Sequence, residues 1–341
     1  MRKPSLLPNC AALLLLACAP ALAATSAAAV AATARAPAPI WTLGDENASL
    51  NAGGLSDRYY VNQFALGWIS APQPGTSTPA LLGRVLLGGG QTRVSLGVVQ
   101  QIYTGAETRF DTPPPGDEPF AGYLALRAGL VADRGNTRSL AGLAAGVIGP
   151  DAGGGLVQNT FHDVIGQAHT HGWGHQLPNE PAFDLGLARI WRWRIGRIPA
   201  SALAADVLPF AAGEAGTTLD EVEGGVMLRL GEGLHSDFGA PRLPPAIGGA
   251  EAYVPDRPFV WYLFASLTGR LIAHDVFLDG ANFSASAHVS KVPEVAEAAV
   301  GVAVLWHGMR FAASEVFQTQ RFHGQKRGIH EFGAFTISAR F

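Results

Sequence analysis

Gln158 and His162 are the residues of this sequence whose types and spacing suit catalysis: four positions apart, they share one face of a helix. A neutral imidazole there can take a proton from water, while the glutamine amide orients the ring or a substrate. The local sequence fits a short helix, with Gly155 before it and Gly166 as its stop. Leu156, Phe161 and Ile165 are expected to anchor that helix against the rest of the protein. A solitary histidine is more often structural than catalytic. The setting of His162 counts for more, because residues 149–180 break the pattern around them, as a plug or an active-site helix would. Further on, His169, His171 and His175 include a pair four apart, but they sit among Gly172, Trp173 and Gly174 with no cysteine nearby. That reads as a solvated loop, not a zinc site.

The interrupted pattern has period two. At the carboxy end Phe335, Ile337, Ala339 and Phe341 alternate with Thr336, Ser338 and Arg340, giving a strand with one apolar face and a terminal aromatic. The same alternation runs through Phe183, Leu185, Leu187, Trp191, Trp193 and Ile195. Its tryptophans suit an interfacial girdle, and Arg192 and Arg194 a lumen or rim. Strands are also expected at 60–69, 94–103, 120–131, 139–148, 219–230, 259–272, 283–289, 298–306 and 309–318, with weaker candidates at 81–87 and 204–210. The total is about twelve. Pro72-Gln73-Pro74-Gly75, Pro113-Pro114-Pro115-Gly116 and Gly153-Gly154-Gly155 punctuate the chain as turns or loops.

Charged residues make up 15% of the chain against 48% hydrophobic, whereas soluble proteins carry about 25% charged residues. No run approaches the roughly 20 apolar residues that a membrane helix needs. Low charge without spanning helices points to an all-β fold: a transmembrane antiparallel β-barrel of about twelve strands, with a short helix from a loop. A formal charge of −3 excludes nucleic acid as the expected partner.

Arg2 and Lys3, the apolar stretch 11–16 and Ala21-Leu22-Ala23 have the form of a signal peptide ending at residue 23. A second cut, before Cys18, would make a lipoprotein, but bulky Leu16 beside it ranks it lower. Under the first reading Cys10 and Cys18 both leave with the signal, and the mature chain has no thiol. Residues 24–39, nearly all Ala, Thr, Pro and Val, read as a disordered tether, and residues 40–341 as the barrel.

Several blocks resemble the lipid A 3′-O-deacylase family of the Gram-negative outer membrane. They are Asp57-Arg58-Tyr59-Tyr60-Val61-Asn62, Gln101-Ile102-Tyr103, Pro119-Phe120-Ala121-Gly122-Tyr123, the run 146–153, Gln158-Asn159 with His162, Gly172-Trp173 with Gln176-Leu177, Asn179-Glu180, and Phe277-Leu278-Asp279-Gly280. The resemblance implies a twelve-stranded barrel in the outer membrane, inserted by the barrel-assembly machinery, with its site on the outer-leaflet side between the wall and a loop helix. It implies lipid A, within lipopolysaccharide, as substrate. It also implies a calcium ion that polarises the ester carbonyl while a histidine activates water. The family's histidine and glutamine fall on His162 and Gln158, and its metal-site asparagine on Asn47. A basic substrate-binding residue after the Tyr103 strand falls on Arg109.

Three positions depart from that family pattern. The family's aspartate next to the asparagine falls on Ala48, its threonine after the paired aromatics on Val61, and a carboxylate that some members carry a few residues beyond the histidine on Ala168. Asp45 and Glu46 are adjacent carboxylates that would take over as metal ligands. The competing readings are a relative that binds lipid without turnover and a channel or structural barrel. A serine phospholipase lacks support, since no Gly-x-Ser-x-Gly occurs.

Overall fold

In strand β6 (Glu180–Trp191) burial alternates residue by residue, with Phe183, Leu185 and Leu187 exposed and Ala182, Asp184 and Ala188 buried. A strand that exposes its leucines and buries its aspartate belongs to a wall with a polar interior and an apolar surroundings. The computed structural model describes residues 38–49, 58–199 and 201–341. The expected signal peptide and residues 24–37 of the expected tether lie outside the described residues, and the first described strand begins at Ile40.

Twelve strands close the wall. They are β1 (Ile40–Asn47), β2 (Tyr59–Ile69), β3 (Gln91–Thr104), β4 (Ala121–Arg134), β5 (Thr137–Ile148), β6, β8 (Ala204–Gly216), β9 (Leu219–Glu232), β10 (Phe259–Asp275), β11 (Glu294–Trp306), β12 (Met309–Thr319) and β13 (Ile329–Arg340). Each pairs antiparallel with its neighbour, β1 pairs with β13, and the pairing of β6 with β8 completes the circuit. A short extra strand, β7 (Trp193–Arg197), pairs only with β8. Closure leaves no open edge in a medium without water to satisfy it.

One end of the barrel has tight turns, such as His307-Gly308 with φ of 48° and 84°. Both angles are positive, the geometry that suits two-residue hairpins. The same end holds the start of β1, the end of β13, and exposed Trp41, Trp193, Phe259 and Trp306, an aromatic girdle. The opposite end carries the long loops 105–120, 149–179 and 280–293, as the extracellular end of such barrels does.

Two expected strands are not strands. Residues 81–87 belong to helix α1 (Thr78–Leu87). Ser77 caps it, its Oγ accepting from the Ala80 amide at 3.4 Å, proline occupies the first turn, and Gly88 stops it in the left-handed conformation. Capping residues at both ends decide the conformation of an apolar run whose periodicity is ambiguous. Residues 283–289 are loop, because local bonds such as Ala281 N–H to Ser286 Oγ (2.7 Å) and Val289 N–H to the Leu278 carbonyl (2.8 Å) take up the backbone.

The segment 233–258, between β9 and β10, enters the lumen from the tight-turn end. It buries Phe238, Ala246, Ile247, Ala250 and Tyr253 against inward side chains of the wall. Asp237 pins it: its carboxylate accepts from Arg229 Nη1 (2.5 Å), Arg310 Nε (3.1 Å) and the Tyr262 hydroxyl (2.7 Å). Arg138 donates to the carbonyls of Ala250 and Ala252 at 2.6 and 2.8 Å. Arg242, from the same segment, reaches Glu46 at 3.0 Å and Glu297 at 2.9 Å. The protein's own chain therefore occupies the lumen, leaving a cavity of about 180 Å³ between Arg242, Glu46 and Glu297.

Burial alone would raise the Asp237 carboxyl, but Arg229 and Arg310 hold it below its ordinary value of 3.8. A depressed carboxylate contributes stability above its unfolded pKa and loses it as pH falls through the folded one. Hydrogen exchange of residues 233–258 should thus stay slow at pH 4 and accelerate only at pH values below 3.8. Asp237→Asn leaves buried Arg310 without its carboxylate, while Arg229 keeps Asp206 at 2.7 Å, a loss of about 3–5 kcal/mol. That variant should show fast exchange in the plug and raised conductance in planar bilayers at neutral pH.

Candidate active site on the outer wall

The loop between β5 and β6 makes a 3-10 turn at Pro150–Ala152 and then helix α2 (Gly154–Ile165). Gly153 starts α2 and Gly166 ends it, both in the left-handed region with φ of 70°. The Gly166 N–H reaches back to the carbonyls of His162 and Asp163. Helix α2 lies on the outside of β3 and β4 at their extracellular ends. Gln100 Nε2, from the outward row of β3, donates to the Ala152 carbonyl at 2.7 Å. A Cβ on Gly122 of β4 would meet the Gly154 nitrogen at 3.0 Å, and one on Gly154 would meet the Gly122 Cα at 3.0 Å. The two backbones touch because neither residue has a side chain.

The polarity of α2 is the reverse of the sequence expectation. Gln158 and His162 are buried on the side facing the protein, while Leu156, Phe161 and Ile165 are exposed, at 75%, 48% and 45%. The expected apolar anchors face away from the wall. In a bilayer lipid takes the place of a core, so an outward apolar face is the buried one.

Two bonds orient the catalytic candidates. Trp173 Nε1 donates to Gln158 Oε1 at 3.0 Å, and the same indole packs over Gly154 and Gly155. His162 Nδ1 lies 2.7 Å from the Ala168 carbonyl. A carbonyl can only accept, so Nδ1 carries the proton and the lone pair of the neutral ring is on Nε2. Ala168 thus supplies an orienting oxygen from its backbone. Asn159 clamps the returning chain, donating to the Thr170 carbonyl (3.2 Å) and accepting from the Thr170 amide (2.8 Å).

Asp45 and Asn47 lie on the same outer face. Backbone register runs from Asn47 to Asn62, then to Ile102, then to Gly122 beneath the helix. Adjacent strands are about 4.8 Å apart, which puts Asn47 roughly 14 Å along the wall from Gly122. Asn62 Nδ2 donates to Asp45 Oδ1 at 2.8 Å, and Asn47 Oδ1 accepts from the Ser49 amide at 2.7 Å. Asn62 therefore belongs to the site, although sequence reasoning passed over it; its signal was its place in the Tyr60-Val61-Asn62 block.

Glu46 does not join them. Consecutive strand residues point to opposite faces, so its carboxylate lies in the lumen, accepting from Tyr60 Oη at 2.5 Å and Arg242 Nε at 3.0 Å. The expected place of Glu46 as a metal ligand beside Asp45 is thus corrected, because its carboxylate is on the other side of the wall. Val61 is the extra residue of a bulge between Tyr60 and Asn62, and Ala48 is fully buried among Tyr60, Tyr103 and Phe277. Among the described residues no three His, Cys, Asp or Glu side chains group as metal ligands. The oxygens of Asp45 and Asn47 are the hard donors that calcium takes, and a calcium there would complete its six to eight ligands with further oxygens.

Arg109 sits on the extracellular loop 105–120, 76% exposed, paired with Glu107 at 3.3 Å. The same loop accepts the His171 amide at the Thr108 carbonyl (2.7 Å), which ties it to the chain after α2. His169 pairs with Asp163 (2.7 Å), His171 with Asp111 (2.9 Å), and His175 donates to the Asp111 carbonyl (2.9 Å). His171 and His175 thus both tie to Asp111 of loop 105–120, while His169 pairs with Asp163 of α2 itself.

A closed antiparallel barrel of twelve strands with apolar residues outside and polar residues inside is the fold of an outer-membrane barrel. The chain belongs to the family of the outer membrane protein LpxR, whose model matches residues 11–341. Its fold is similar to that of LpxR from Salmonella typhimurium, with a TM-score of 0.72, 20% identity, and coverage of 89% of this chain and 100% of that one. Weaker likenesses are the beta domain of the Bordetella autotransporter BrkA (TM-score 0.39, 13% identity, 89% and 98% coverage) and the translocator domain of NalP from Neisseria meningitidis (TM-score 0.34, 13% identity, 92% and 93% coverage). No curated protein sequence matches the chain.

The glycine contact should be necessary for the helix to dock. Gly154→Val, which drives a branched side chain into Gly122 and Trp173, should cost about 1–3 kcal/mol of docking. Limited proteolysis of loop 149–179 in the folded barrel should then be faster, with the barrel's own resistance unchanged.

Proposed function

We propose that this chain is an outer-membrane lipid A deacylase that hydrolyses the 3′-acyloxyacyl ester of lipid A. The observation that carries this reading is the Nδ1 bond of His162 to the Ala168 carbonyl, on a helix held against the lipid-facing side of the wall. That bond leaves Nε2 as the basic nitrogen. In this reading Nε2 takes a proton from water as the oxygen attacks the ester carbonyl. The tetrahedral intermediate then collapses, and the imidazolium returns the proton to the departing sugar alkoxide. The products are the acyloxyacyl acid and a free 3′-hydroxyl.

Gln158, fixed by Trp173, orients the attacking water or the ester. Asp45 and Asn47, with Asn62 steadying Asp45, would hold a calcium ion. When bound, that ion supplies Lewis-acid polarisation of the ester carbonyl. Arg109, exposed on the outer loop, meets a phosphate of the lipid A headgroup. The exposed Leu156, Phe161 and Ile165 keep α2 at the depth where acyl esters lie. Ala168 removes a side-chain carboxylate without removing the ring's hydrogen-bond partner, so this departure from the family pattern is compatible with turnover.

Mass spectrometry of lipid A from cells expressing the chain, with calcium present, tests the reading. Wild type should shift lipid A by the mass of one acyloxyacyl group, and His162→Ala should reduce that product about 10²- to 10⁴-fold. Asp45→Asn should raise the calcium concentration needed for half-maximal product, leaving the plateau nearer wild type than His162→Ala does. Unchanged lipid A from wild-type cells, with the barrel confirmed in the outer membrane, would refute turnover and favour a lipid-binding relative.

A further inference from the structure

A second helix lies on the outside of the wall, at the opposite end. Ala80, Gly83 and Leu87 of α1 are buried against β3, β4 and β5. The approach is close: a Cβ at Gly83 would fall 2.6 Å from Thr92 Oγ1. Thr92 shares the outward row of β3 with exposed Leu96, so α1 rests on the outer surface near the tight turns. Its other face is apolar and uncovered, with Leu81 47%, Leu82 47%, Val85 82% and Leu86 58% exposed.

Three exposed arginines flank this helix, Arg134 and Arg189 at its C-terminal end and Arg84 turned back toward its N-terminal end. Arg84 donates to the Gly75 carbonyl (2.8 Å), Arg134 to the Gly88 carbonyl (3.1 Å), and Arg189 to the Leu87 carbonyl (3.2 Å) and Ser139 Oγ (3.0 Å). Two of these bonds end at the C-terminus of α1, where the helix dipole favours cations. Five donors per guanidinium leave others to spare. Asp133, beside Arg134 in sequence, is turned to Arg138 with both oxygens, at 2.7 and 2.8 Å. The cluster is therefore left with positive charge. Trp191 and Trp193 follow Arg189 along the wall, which sets the cluster at the membrane–water interface.

We infer that α1 with Arg84, Arg134 and Arg189 binds an anionic glycerophospholipid of the periplasmic leaflet. The phosphate meets Arg134 and Arg189 at the C-terminal end of α1, Arg84 adds positive charge along the helix, and the acyl chains lie along Leu81, Leu82, Val85 and Leu86. Two observations choose this occupant: the apolar face continues the lipid-facing band of the wall through Leu96, and the charge beside it is positive. The site lies at the other end of the barrel from α2 and does not depend on any deacylase activity.

Native mass spectrometry of the full-length folded chain in detergent tests it, with phosphatidylglycerol and phosphatidylcholine titrated separately. Wild type should retain phosphatidylglycerol preferentially. Each arginine changed to glutamine should weaken that retention about fivefold, since each contributes a similar electrostatic increment. The triple variant Arg84→Gln/Arg134→Gln/Arg189→Gln should lose the preference, and Val85→Asp should weaken both lipids. Heat-modifiable migration confirms that each variant is a folded barrel, and Arg84→Gln, which removes one bond on an exposed surface, tests the positive charge if the triple variant misfolds. Equal retention of the two lipids by wild type, or an undiminished preference in the folded variants, overturns the proposal. A dimer that Val85→Asp dissolves also overturns it, by showing a second copy on this face.

Discussion

Every backbone group of a chain in lipid must find a partner within the chain, and the pairing of β6 with β8 meets that demand by closing the sheet. Much follows from this closure. A closed wall has an inside and an outside, and period-two strands give alternate residues to each. Leucines such as Leu185 and Leu187 go to lipid, while Asp184 goes to the interior. The helices outside the wall inherit the same rule, which is why α1 and α2 both turn apolar residues outward.

The interior poses the opposite problem. Arg93, Arg138, Arg229 and Arg310 are almost wholly buried there, and charges removed from water need partners. Segment 233–258 helps to supply them, with Asp237 between two guanidiniums and backbone carbonyls around Arg138. Polar chemistry in this lumen serves architecture. Glu46 illustrates the distinction, since one step along β1 separates it from Asp45 and places it in the packing of the plug instead of on the outer wall.

The proposed function accordingly lies on the outer surface. The barrel acts as a rigid support whose side, not whose bore, carries the candidate chemistry. The close approach of Gly122 and Gly154 lets α2 lie flat on the strands, and Trp173 and Ala168 then lock the two polar side chains that point back at the wall.

Much of this was legible in the sequence. Alternation, low charge and the terminal aromatic strand identified a barrel of about twelve strands, because period two is a local property that each strand carries by itself. The helix with Gln158 and His162 was equally legible, since glycines at its ends and a broken alternation are local signals. The tertiary structure alone decided the rest. The lumenal plug has no local signature, and the facing of α2 depends on what surrounds it: the same apolar residues that would pack inward in water pack outward in lipid. Which of two adjacent carboxylates reaches the outer wall depended on the register of β1 between β2 and β13, a pairing between segments far apart in the chain. The sequence determined which groups were available for chemistry; the closed sheet decided which side of the wall each would face.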